Sequence, residues 1–187
     1  MSENTLSSEH LLKLAKSKSA GSKHLLMENI SDLFLSDSGR LSEHERVLMN
    51  DIMVKLLKDV ETKIRKALAE RLAESEEMSF ELVALLANDT IDVAHPILSK
   101  STLLQDEQLI EIIRNRTDSH RMSIAIRAHI STQVSDQLVE HGNEDVLEAL
   151  IKNENAEISE LSMNYLVDES RTVDRFQEPL LNRNDIP

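Results

Sequence analysis

The chain matches itself at an offset of 29 residues. Leu56-Leu57 falls on Leu85-Leu86, Asp59 on Asn88, Ile64 on Val93 and Leu68 on Ile97. The shared pattern is a helix ending in two apolar residues, a short polar corner, and a second helix that opens on an apolar position. It returns at Ile112-Ile113, with a corner from Arg114 to Ser119 and then His120, Ile124 and Ala125. A fourth copy reads Leu150-Ile151, a corner from Lys152 to Glu157, then Ile158 and Leu161. The spacings are 29, 27 and 38, and the long last gap holds a further helical stretch, residues 131–151, split at Gly142. Asp59, Asn88, Asn115 and Asn153 recur in the corners. Such side chains cap helices and tolerate left-handed backbone. A two-helix unit of this length cannot bury its apolar face alone, so the pattern predicts units stacked in an array.

Composition agrees with helices throughout. Aromatic residues make up 2% of the chain, and there are only three Gly and three Pro. Sheets draw on β-branched and aromatic residues and turn on Gly and Pro; helices draw on the Leu, Ala, Met, Glu, Lys and Arg that dominate here. The fold class is therefore all-α, a HEAT-like α-solenoid with an N-terminal helical cap. Residues 1–55 form the cap and 56–187 the helix-pair repeats, in one continuous domain. In the cap, Leu11, Leu12 and Leu14 begin a short helix, and Leu26, Ile30, Leu33 and Phe34 form a helical stripe. Residues 36–40 read as a turn. Ser42-Glu43-His44-Glu45 is a capping box ahead of an apolar-periodic run. Pro96 should kink the helix it lies in.

The residue inventory excludes several chemistries. There is no Cys, hence no disulfide and no thiolate metal site. No apolar run approaches the roughly 20 residues needed to span a bilayer, and the first ten residues lack the layout of a signal peptide, so a cytoplasmic protein is expected. Net charge is −13, which opposes binding to nucleic acid or anionic lipid. His44-Glu45 is the only His-Glu pair, and His120 and His129 are not at ligand spacing. His120 falls on a core position of its unit. His95 and His141, each before a helix breaker, read as turn or helix-end residues. Asp106-Glu107 and Glu144-Asp145 sit at helix N-termini, where they complement the dipole. Gly-x-Ser-x-Gly and phosphate-binding loops are missing. No catalytic, cofactor-binding or metal-binding residue is assigned, and no enzyme is expected.

Charge is uneven along the chain. Between Asp136 and Glu160 there are eight acids against one base, Lys152. Two basic clusters, Lys63 to Arg71 and Arg114 to Arg127, lie upstream. The second helices of the units should expose Arg65, Arg121 and Arg127 on a concave face, where they would pair with a protein or acidic-peptide partner. The alternatives are a homo-oligomer through an apolar edge at Leu180, Leu181 and Ile186, or an enzyme or nucleic-acid binder on the same scaffold.

The sequence also resembles a known family. The matching stretches are "ALAERLAE" (Ala67 to Glu74), "LANDTIDVAHPIL" (Leu86 to Leu98), "LLQDEQLIEIIRNRT" (Leu103 to Thr117), "HRMSIAIR" (His120 to Arg127), "VSDQLVEHGNEDVLEALIKN" (Val134 to Asn153) and "VDRFQEPLLNRNDIP" (Val173 to Pro187). Together, from about Leu11 onward, they resemble DUF2336, a bacterial domain of unknown function common in alphaproteobacteria. The resemblance implies a HEAT-like helical repeat and brings no activity, cofactor or site residue. It also implies a form shortened at the C-terminus, since family members usually run further.

Overall fold

The structure is a computed structural model that describes residues 13–17, 19–36 and 41–185. The described residues are helical, with no strand among them. Eleven α-helices are labelled here. They are α1 (Ala20–Ser36), α2 (Glu43–Leu57), α3 (Thr62–Leu72), α4 (Phe80–Ala87), α5 (Ile91–Lys100), α6 (Asp106–Asn115), α7 (Asp118–Ala125), α8 (Thr132–His141), α9 (Glu144–Lys152), α10 (Glu160–Glu169) and α11 (Gln177–Leu181). A short 3₁₀ turn, Asp174–Phe176, precedes α11. Leu11, Leu12, residues 37–40 and Ile186 lie outside the described residues.

Local chemistry starts the helices where the sequence placed them. Ser42 and Glu45 form the expected capping box: the Glu45 amide donates to Ser42 Oγ at 3.3 Å and the Ser42 amide to Glu45 Oε2 at 2.9 Å. Ser79, Ser131, Asn143 and Ser159 cap α4, α8, α9 and α10 in the same way, each accepting from an amide of the first turn. Helix α5 runs unbroken through Pro96, which is buried.

The helices pack in two rows. In one row α1 lies on α3, α3 on α5, α5 on α7, α7 on α9 and α9 on α11. In the other, α2 lies on α4, α6 on α8 and α8 on α10. Pairs α4–α5, α6–α7 and α8–α9 join the rows. One apolar core runs between them from Leu14 to Ala156, and a smaller cluster of Leu147, Ile151, Met163, Leu166, Phe176 and Leu180 closes the C-terminal end. Helix α2 spans Glu43–Leu57, so a division between residues 55 and 56 falls inside a helix, and the core crosses it without a break.

Two expectations need correction. The fourth pair is α8–α9, not Leu150-Ile151 followed by Ile158. The second helices begin at Thr62, Ile91, Asp118 and Glu144, spaced 29, 27 and 26 residues. Helix α9, which carries Leu150 and Ile151, is therefore a second helix. Gly142 is its corner, and a Cβ there would meet Leu138 O at 2.6 Å and Val146 Cγ1 at 2.8 Å. The corners also need no left-handed backbone: among the described residues none has positive φ. Asn88 and Asn115 instead donate from their side chains to the carbonyls four residues back, Ala84 O at 3.0 Å and Glu111 O at 2.9 Å.

Candidate interaction groove

The three arginines assigned to partner contact are engaged inside the molecule. Arg65 holds Asp89 with two bonds, Nε to Oδ2 at 2.6 Å and Nη2 to Oδ1 at 3.0 Å, and donates to Val60 O at 2.9 Å. Burial pushes the Asp89 carboxyl up, but the Arg65 guanidinium and the Thr90 amide outweigh it and leave the group below the usual carboxylate range. Arg121 donates to Ile113 O at 2.7 Å and to Asp118 Oδ1 at 2.8 Å, closing the corner it follows. Arg127 is only 8% exposed; it donates to Leu98 O and, at 2.7 Å, to Ser101 O. Burial pushes the Arg127 guanidinium down, partly offset by Asp106. Arg127 is thus no exposed site, and Arg65 and Arg121 are half-buried with their donors in use. The helical register put all three on second helices or just after, and packing turned them inward.

Arg127 belongs to a series. Asn153, in the loop after α9, donates to Ala125 O at 2.9 Å and Arg127 O at 2.8 Å. Arg183, after α11, donates to Ile151 O, Asn153 O and Ala156 O at 3.2, 2.8 and 2.9 Å. Each loop thereby ties itself to buried carbonyls at the end of the unit before it. His120 is tied across units too: its ring bonds Asp89 O at 3.0 Å and Thr117 Oγ1 at 2.9 Å, a buried seam residue as its core position implied.

Exposed chemistry gathers elsewhere on the same row. Ile91, His95 and Ser99 recur every four residues along α5, so they share one helix face. Between this face and α3 lies a cavity of about 460 Å³ that includes Lys66 and Glu70. Between it and the start of α9, over α7, lies a second of about 300 Å³ that includes Met122, Asn143 and Asp145. Both cavities share Ile91 and His95, so they adjoin, and together they make a grooved surface across α3, α5, α7 and α9. Ile91, Pro96, Met122 and Val146 supply its apolar floor. Lys66, Glu70, Asp92 and Lys100 line one end, with Lys100 paired to Glu74, and Asp118 and Asp145, paired to Arg121 and Arg175, line the other.

His95 sits at the junction, exposed, and its orientation is fixed from below. Its Nδ1 is 2.8 Å from Ser123 Oγ, and Ser123 is buried. Ser123 Oγ is also 3.0 Å from Ser119 O, a carbonyl that can only accept. The single hydroxyl proton goes to that carbonyl, so His95 Nδ1 carries a proton and donates to Ser123. In the neutral ring this leaves Nε2 as the acceptor, the arrangement that makes a histidine a hydrogen-bonding group of defined polarity. The sequence sets His95 at a turn or helix end because Pro96 follows it; the helix continues, and the four-residue spacing of Ile91, His95 and Ser99 was the signal that marked the face. Among the described residues no three His, Asp or Glu gather as metal ligands would.

The family model for DUF2336, described as an uncharacterised protein conserved in bacteria, matches residues 93–187. The chain belongs to this family. The DUF2336 match begins inside α5 and takes in the pairs α6–α7 and α8–α9 with the series of loop ties from Arg127 to Arg183. No curated protein matches the chain, and no solved structure does. No helix among the described residues is long and apolar enough to cross a membrane.

Proposed function

We propose that this DUF2336 chain is a cytoplasmic, HEAT-like α-solenoid scaffold that binds a protein segment in the groove on its second-helix row. Two-row packing and helix-pair spacings of 29, 27 and 26 residues support the solenoid. The groove carries the functional part: four successive helices contribute to two adjoining depressions with apolar residues in their lining, mixed charges, and an oriented histidine where they meet. An extended surface of that kind suits a peptide better than a small molecule, which calls for a more enclosed pocket. In this reading His95 serves binding: its Nδ1 is held by the buried Ser123, which leaves Nε2 to bond a partner. The net charge disfavours nucleic acid and anionic membrane.

The test is affinity capture from lysate of the source organism, with wild type beside an Ile91→Glu, Met122→Glu variant of unchanged helicity. A partner held by the wild type and lost by the variant supports the groove. If the same proteins are captured by both, or none by either, the reading fails. Substituting the three arginines does not serve this test, since it removes internal ties.

A further inference from the structure

His95 is chemically unlike the other described histidines. His120 is buried with both ring nitrogens bonded. His24 and His141 face carboxylates, Glu28 and Glu140. His44 and His129 are exposed, and neither ring makes a hydrogen bond among the described residues. Only His95 among them joins an exposed ring to a fixed tautomer: the buried Ser123 holds Nδ1–H, and Nε2 keeps its lone pair. A ring nitrogen in that state is a nucleophile. Attack on an electrophile turns the ring into a cation that shares its charge with Nδ1–H. The bond from Nδ1–H to Ser123 Oγ then becomes charge-assisted and strengthens. Ser123 is held in place to accept it, because its own proton goes to Ser119 O at 3.0 Å. An interaction that grows as the attack proceeds lowers the barrier. The cavity of about 460 Å³ lined by His95 also has room for a tetrahedral oxyanion. Lys66 lines it and makes no ion pair among the described residues. Lys100 lies there too, paired to Glu74, and Glu70 and Asp92 balance the two lysines. The reactivity therefore rests on the ring, and Lys66 is the cation left open to an anionic group.

We propose that His95 Nε2 is a phosphoryl acceptor, taking the group from a donor of the phosphoramidate class, in which phosphorus is bonded to nitrogen. The Nε2 lone pair forms the new phosphorus–nitrogen bond as the old one breaks. The electron pair of the old bond leaves with the donor's amine, which already carries its proton. The ring is left with phosphoryl on Nε2 and its own proton on Nδ1, held by Ser123. One phosphorus–nitrogen bond replaces another, so no further reactant is needed. Lys66 pairs with the phosphoryl oxygens, and Ser123 is a positioning residue. The reaction requires no protein segment in the groove, so its failure leaves the binding reading standing, and the failure of that reading leaves this one standing.

Incubation of the full chain with phosphoramidate itself tests this. Mass spectrometry of peptides kept in base follows the label on each histidine, and NMR of the phosphorylated ring tells Nε2 from Nδ1. His95 should be labelled about tenfold faster than the exposed His44 and His129 of the same chain, the gain in rate from one charge-assisted hydrogen bond. The label on His95 should lie on Nε2 alone. Ser123→Ala, checked for unchanged helicity, should bring His95 down to the rate of His44 and His129 and put part of its label on Nδ1. A serine with a structural role only would leave that division between the nitrogens unchanged. Lys66→Gln should slow His95 while keeping the label on Nε2. A wild type in which His95 is labelled no faster than His44 and His129, or on Nδ1, overturns the proposal. So does a Ser123→Ala chain that is labelled as the wild type is. The comparison within the wild-type chain decides by itself if Ser123→Ala does not fold.

Discussion

The two halves of the molecule join successive units in different ways. From α7 onward side chains reach backbone carbonyls at the end of the previous unit, through Arg127, Asn153 and Arg183, beside side-chain ties such as Arg175 with Glu144 and Asp145 and Ser159 with Asp136. In the N-terminal half most ties are ion pairs between partly exposed side chains, such as Arg71 with Asp32, Lys23 with Asp59 and Arg46 with Glu77. Asn50 is the exception there, bonding Arg46 O, Glu77 O and the Ser79 amide. The difference is energetic. A surface ion pair exchanges one hydrated state for another and contributes about 0–1 kcal/mol. A buried carbonyl has no water to return to, so losing its donor costs the full desolvation of the group. The family match covers the C-terminal half, where the ties to backbone carbonyls lie.

Arg127→Ala puts the comparison at most risk. It strips donors from Leu98 O and Ser101 O, and we expect a loss of about 3–4 kcal/mol in chemical denaturation. Arg127→Met, which keeps the stem, should recover little of it; full recovery would assign the effect to packing. Gly142→Ala comes next, because its Cβ meets Leu138 O and Val146; a loss of about 2 kcal/mol is expected, measured the same way. Asp89→Asn sharpens the middle case, a half-buried pair. The folded Asp89 carboxyl lies below its ordinary range, so its contribution is whole above about pH 4 and is lost as pH falls through the folded value. Thermal melts should show the variant less stable by about 1–2 kcal/mol at neutral pH, converging with the wild type in acid. Arg71→Ala should cost least, under about 1 kcal/mol. If it costs as much as Arg127→Ala, the contrast between the halves is false.

The helices and the first three helix pairs were legible because burial on a helix repeats every three to four residues and capping is local. The fourth unit was misphased for a physical reason. An apolar doublet marks any helix end that faces the core, and both rows face it, so Leu150-Ile151 at the end of a second helix looked like Leu85-Leu86 at the end of a first. Gly142 was the cue to the true corner, because only a residue without Cβ fits between Leu138 O and Val146. Arg127 was set on an exposed face for a related reason. Sequence shows that a cation lies on a given helix, but not which carbonyls stand within reach of it. Leu98 O and Ser101 O lie 29 and 26 residues before Arg127, and only the stacking of α7 on α5 brings them close. The groove was hidden likewise, since its walls come from four helices and only the α5 face has a local signature.

The sequence by itself determined that this chain is helical, where its helices begin, and that they come in pairs about 30 residues apart, because those properties depend on neighbours within a few turns. Tertiary structure alone decided which polar side chains became ties and which stayed free, and where the open surfaces lie. Those outcomes depend on groups a whole unit apart. At that distance the desolvation of a carbonyl or the fit of a side chain is set by the stacking of helices, not by spacing along the chain.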